Sequence, residues 1–168
     1  FVVVGSQGRK EMGLASDQDN CLLLDDSYDE REHGDYFAAL TDFVCRGLDR
    51  AGQVLCPGDM MASNPEWRKT ASEWVDTFHE WIQAPEPDAL LNAQIFFDFR
   101  AIHGEIEMAQ QVHQSAVNMA RGARRFHAHL AALVARRFPP VGFFRGFVVE
   151  RSGEYGATLD VKKGGTAG

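Results

Sequence analysis

The sequence predicts an α+β fold: a small mixed β-sheet flanked by helices, followed by a helical bundle and a terminal β-hairpin. Three observations predict it. Short runs of β-branched and aromatic residues occur early, as in Phe1-Val2-Val3-Val4. Longer stretches with apolar residues at helical spacing dominate the remainder of the chain. Strands first and helices later is the order of an α+β domain. At 168 residues, 45% hydrophobic and 24% charged, the chain is long enough for one cored domain with a helical extension.

Each element has its own reason. Phe1–Val4 is a buried strand that Gly5-Ser6 breaks, and the polar stretch Gln7–Gly13 is a short helix or loop. Asn20–Leu24 is a second apolar strand, ended by Asp25-Asp26-Ser27. From Glu32 to Ala51, the residues Phe37, Leu40, Phe43, Val44, Cys45 and Leu48 repeat at helical spacing, and Gly52 stops the helix. Val54–Ala62 is a connection containing Pro57-Gly58. Asn64 caps and Pro65 opens a helix with the stripe Trp67, Trp74, Phe78, Trp81 and Ile82, read as core, which ends before Pro85 and Pro87. Ile95–Arg100 is the third strand candidate, with the strand expected over Phe96–Arg100. A long helical stretch runs from Gly104 to Arg137, kinked or divided at Gly122 and ended by Pro139-Pro140. Phe147–Val149 and Thr158–Val161 pair as a hairpin across Ser152-Gly153.

No apolar run reaches ~18 residues, so no transmembrane helix is expected. No basic leader precedes Phe1–Val4, so no signal peptide is expected. Phe1 at one end and Lys162-Lys163-Gly164 near the other read as a fragment cut from a longer polypeptide. Cys21, Cys45 and Cys56 form no CxxC pair and read as reduced, mostly buried thiols, which suggests a cytoplasmic protein. The net charge of −7 is uneven. Residues 1–60 hold 5 basic and 12 acidic side chains, residues 61–100 hold 3 and 7, and residues 101–168 hold 9 and 5. General affinity for long nucleic acid is not expected from this balance. With no long apolar run, a membrane partner is not expected either. An acidic metal centre opposed by phosphate-binding cations would produce the split, as would two ordinary solvated faces.

The densest chemical signal is Gly5-Ser6-Gln7-Gly8-Arg9-Lys10-Glu11, followed by Ser16-Asp17-Gln18-Asp19-Asn20. Residues i and i+2 of a strand share a face, so Asp17 and Asp19 point together. Two carboxylates ~4 Å apart repel by about a few kcal/mol, which a divalent cation relieves, and Mg²⁺ prefers oxygen ligands. The alternative is an aspartate-rich turn capping a strand. An EF-hand loop fails because Cys21 stands where an oxygen ligand is needed, and neither the Walker A spacing nor GxGxxG is present.

Val4-Gly5-Ser6, Asp17-Gln18-Asp19 and Phe97-Asp98-Phe99 together resemble the DNA polymerase β-like nucleotidyltransferase superfamily. Gly-Ser-x-Gly-Arg-x-Glu with Ser-Asp-Gln-Asp-Asn is similar to the nucleotidyltransferase domain found beside CBS and cyclic-nucleotide-binding domains in bacterial proteins. That family is related to the PII uridylyltransferases and glutamine synthetase adenylyltransferases. Cys56–Pro65, Trp67-Arg68, Phe97–Arg100 and Asp160–Gly164 extend the resemblance over nearly the whole chain.

The resemblance implies a catalytic core over residues 1–103. It also implies a helical substrate-binding region with the terminal hairpin over 104–168, truncated at its C-terminus. It implies that Asp17, Asp19 and Asp98 are catalytic and hold two Mg²⁺ ions, with Mn²⁺ as a substitute. Gly5 and Ser6 would meet the triphosphate, and Arg9, Arg100 and Lys162 would complete nucleotide binding, with Lys10 and Lys163 as further basic candidates. For Asp98 the competing reading is an ion pair with Arg100. His79, His127 and His129 read as structural. The implied reaction moves UMP or AMP from a nucleoside triphosphate to a hydroxyl, on a regulatory protein acceptor. The rival reading is a non-catalytic nucleotide-sensing module of a signal-transduction protein. A purely structural interaction module is the third.

Overall fold

The computed structural model describes residues 1–13 and 16–135. Among them lie a four-stranded mixed sheet and six α-helices, so the α+β expectation holds. The expected hairpin and Lys162 fall outside the described residues. A first compact unit spans Phe1–Phe126, and a second begins at His127.

The strands are β1 (Val2–Val3), β2 (Asn20–Leu24), β3 (Arg68–Thr70) and β4 (Arg100–Ala101), in the order β3-β2-β1-β4. Strand β1 runs antiparallel to both neighbours, with Val2 opposite Cys21 and Ala101. Strands β2 and β3 are parallel, with Leu22 opposite Arg68. All five residues of β2 are buried, which explains its continuous apolar run.

Helix α1 is the single turn Gly5–Gly8, and α2 spans Glu30–Arg50. Asp29 caps α2 by accepting from the N–H groups of Arg31 and Glu32, so the helix starts slightly earlier than its apolar spacing suggests. At its other end the Gln53 N–H donates to Leu48 O and that of Gly52 to Asp49 O, the paired bonds of a Schellman stop. Cys45 is buried on α2, whereas Leu40 and Phe43 of the expected stripe, and Tyr36 beside them, are exposed.

The helix expected to run from Asn64 through Ile82 is interrupted. Asn64 caps only a 3₁₀ turn, Pro65–Trp67, after which Arg68–Thr70 pairs with β2. Thr70 then restarts the helix as α3 (Ala71–Gln83) through a capping box. The Thr70 N–H donates to Glu73 Oε2 at 2.8 Å, and Thr70 Oγ1 accepts from the Glu73 N–H. The tryptophans are core, as their spacing suggests. Trp67, Trp74 and Trp81 are buried, Trp67 stacks on Trp74, and Phe96 packs against all three. The Trp74 indole N–H donates to Leu22 O, tying α3 to the sheet.

The strand expected over Phe96–Arg100 is also corrected. Pro87, in the first turn, opens helix α4 (Pro87–Phe96), Asp98 lies in a bend, and β4 begins at Arg100. A short apolar run does not distinguish strand from buried helix end, and here Phe96 closes the tryptophan cluster. The long helix expected after Gly104 divides at Gly122 into α5 (Ile106–Arg121) and α6 (Arg124–Ala135). No described helix is long and apolar enough to cross a membrane.

Candidate active site

Strand β1 feeds directly into Gly5, whose φ of +58° lies in the left-handed region that favours glycine. A Cβ there would stand 3.2 Å from Asp19 Oδ2. At Gly8 a Cβ would sit 1.8 Å from the backbone oxygen of Asp98, an obstacle no side-chain rotation removes. Helix α1 is therefore wedged between the Asp19 carboxylate and the Asp98 backbone. Arg100 pins it from the carbonyl side, with Nε donating to Gly8 O at 3.0 Å and Nη2 to Gln7 O at 2.7 Å. Lys10, next after Arg9, has φ 63°, an uncommon conformation for a residue with a side chain.

Residues 17–20 alternate. Gln18 and Asn20 are fully buried, while Asp17 and Asp19 are half-buried. Gln18 Nε2 donates to Cys45 O and Gln53 O, each at 2.9 Å. The Gln18 N–H reaches Val54 O, and the Asn20 N–H reaches Met60 O. Asn20 Oδ1 accepts from the Ala62 N–H at 2.8 Å. These bonds lace residues 53–62 onto residues 18–20 and deliver Cys56 to the aspartates. One ligand atom each from Asp17, Asp19 and Cys56 lies within 4.8 Å of the others. Donors ~2.0–2.3 Å from a common ion stand closer together than about 4.6 Å, so the three are near enough to be candidate ligands of one divalent cation. Burial pushes the Cys56 thiol up to about 11, and its hydrogen bond with Asp19 acts in the same direction.

Among the described residues, Asp98 does not join this group. Its carboxylate forms an ion pair with Arg9, whose Nε also contacts Glu11 Oε2 at 2.8 Å. Arg100, the partner expected for Asp98 on the competing reading, is directed at the α1 carbonyls. Ser6 lies half-buried within α1. His79, His127 and His129 are exposed on α3 and α6. The site thus gathers Gly5, Asp17 and Asp19 closely, with Asp98 and Arg9 beyond Gly8.

Sequence reasoning assigned no role to Cys56, Gln18 or Asn20. The alternation of Asp with Gln or Asn was a readable signal for the last two, since polar residues of opposite parity on one strand need partners of their own. For Cys56, nothing in its own stretch Cys56–Pro65 points to Asp17 and Asp19, which lie far away in sequence.

Residues 1–88 match the family described as Putative nucleotidyltransferase DUF294. Residues 124–168 match the family described as Putative nucleotidyltransferase substrate binding domain. Gly5, Ser6, Arg9, Asp17 and Asp19 fall within the first match, and Asp98 and Arg100 lie between the two. No curated protein and no solved structure matches the chain.

Proposed function

The chain belongs to the DUF294 nucleotidyltransferase family, and from that premise we propose that it moves a UMP or AMP group from a nucleoside triphosphate to a hydroxyl on a regulatory protein. The observation that carries the reading is the convergence of Asp17 and Asp19, with the Asp19 carboxylate packed against the left-handed turn at Gly5. In the proposed reaction the acceptor oxygen attacks the α-phosphorus, and the bond to the bridging oxygen breaks. Pyrophosphate leaves with the electron pair, and the acceptor proton passes to solvent. Asp17 and Asp19, with Asp98, would hold Mg²⁺ or Mn²⁺, which when bound supplies neutralisation of triphosphate charge and activation of the attacking hydroxyl. Gly5 and Ser6 would admit the phosphates closely, and Arg9 and Lys162 would balance the departing pyrophosphate. The contacts of Arg100 favour its acting through α1, by holding the turn in place.

Residues 1–103 are proposed as the catalytic core and 104–168 as the region that meets the acceptor. The description of the second matched family supports the latter. We also propose a cytoplasmic location, with CBS or cyclic-nucleotide-binding domains on the parent chain. One observation favours the second reading, a nucleotide sensor without catalysis: Asp98 is paired with Arg9 and stands outside the acidic group. Labelled triphosphates incubated with the parent protein and lysate distinguish the two. Wild type is expected to label a partner, and Asp17→Asn/Asp19→Asn to lose the label with its fold intact, because losing like charges relieves repulsion. Labelling by the double variant would overturn the assignment. Mg²⁺-dependent triphosphate binding without any transfer would establish the sensor.

A further inference from the structure

We propose that Cys56 is a third metal ligand, and that Asp17, Asp19 and Cys56 together form a site for a thiophilic divalent cation of the zinc class, which competes there with Mg²⁺. The inference concerns regulation of the same site and rests on the proposed function only for its consequence for catalysis.

The argument starts from the donor set. Two carboxylate oxygens and one sulfur lie within 4.8 Å of one another. Mg²⁺ seeks an octahedron of oxygens and gains nothing from a sulfur neighbour. Zinc-class ions accept mixed oxygen and sulfur donors, and three protein ligands with a fourth position open is an arrangement they commonly adopt. A thiolate also biases a site along the softness scale, away from magnesium and manganese.

The donors are also brought together by structure already in place. Cys56 lies on the segment laced to residues 18–20 by the Gln18 and Asn20 bonds. Its own turn is fixed as well. The Asp59 N–H donates to Cys56 O, and Asp59 O accepts from the Trp67 indole N–H at 3.0 Å. Asp59 itself has a left-handed φ of 54°. Little ordering entropy is therefore left to oppose binding. On coordination the S–H bond breaks, the sulfur pair goes to the metal and the proton to water. Cys21 and Cys45 are buried elsewhere and supply no donor to this group.

The test is spectroscopic and needs no turnover. The full chain, without nucleotide, is titrated with Cd²⁺ while the ultraviolet charge-transfer band of a cadmium–thiolate bond is followed. One equivalent is expected to produce the band. Cys56→Ser is expected to abolish it, and Asp17→Asn or Asp19→Asn to weaken apparent affinity by at least about tenfold. Zn²⁺ is expected to displace Cd²⁺ at comparable concentration, and Mg²⁺ only in large excess. Circular dichroism confirms that each variant is folded. Should Cys56→Ser misfold, the aspartate variants decide alone. A band that survives in folded Cys56→Ser, or an affinity unmoved in the aspartate variants, overturns the proposal. Absence of label transfer by cadmium-free protein supplied with Mg²⁺, when the cadmium band forms normally in a separate titration, would instead count against the nucleotidyl-transfer reading.

Discussion

Two glycines of this chain make opposite demands although they look alike in sequence. Gly8 has no room for a methyl group, since a Cβ would collide with the Asp98 backbone. Gly47, inside α2, has nothing within 4 Å of that position. Gly8→Ala is therefore expected to destabilise the protein by about 1–3 kcal/mol, the usual range for overpacking. Gly47→Ala is expected to stabilise it by about 0.5–1 kcal/mol, because alanine is the better helix former. Urea denaturation of both variants checks the signs, and equal midpoints would refute the contrast. Cysteines add a pH signature. Burial raises the thiols of Cys21 and Cys56 above their ordinary value of 9.0. The unfolded chain then releases these protons first as pH rises. The stability they contribute is whole below about pH 9 and is lost as pH climbs through the Cys56 value of about 11. Thermal melts between neutral and strongly alkaline pH are expected to fall in that window, and to fall less in Cys21→Ala measured against its own neutral value.

At the level of elements, helix ends matter most. Thr70 terminates β3 and starts α3, with both arms of its capping box formed. Thr70→Ala is expected to cost about 1 kcal/mol, read as a lowered melting temperature. Arg100 holds α1 by two charge-assisted bonds, so Arg100→Lys, which keeps the charge but loses the fork, is expected to weaken triphosphate binding while leaving the core intact. Unchanged binding in a titration would show that α1 holds its place without the fork. Strand β2 was legible to the residue because its apolar run is bounded by Asn20 and by Asp25-Asp26. Strand β3 was not. Arg68-Lys69-Thr70 has no apolar pattern, and it becomes a strand only by pairing with β2. Helix α4 was hidden because Ile95-Phe96-Phe97 reads equally as strand, and tertiary packing against the tryptophans chose helix.

Across the molecule, local patterns carried the α+β class and the tryptophan core, because both follow from periodicity. Asp17 and Asp19 were legible as a pair for the same reason. The third partner of that pair was not, since Cys56 arrives by long-range hydrogen bonding around the whole of α2. The Arg9–Asp98 ion pair was equally invisible, joining residues 89 apart in the sequence.

The lacing of residues 53–62 onto residues 18–20 also has a consequence in time. As the ribosome extrudes the chain from its N-terminus, Asp17 and Asp19 emerge long before Cys56, Met60 and Ala62. Gln18 and Asn20 must wait, unpaired, until α2 has been made and its Schellman stop has turned the chain back. Helix α2 forms from local contacts and shortens the effective loop to be closed, which lowers the entropic barrier to that late meeting. A nascent chain halted within α2 would carry both aspartates without Cys56, so the Asp17–Asp19–Cys56 group is complete only once the segment after α2 is synthesised.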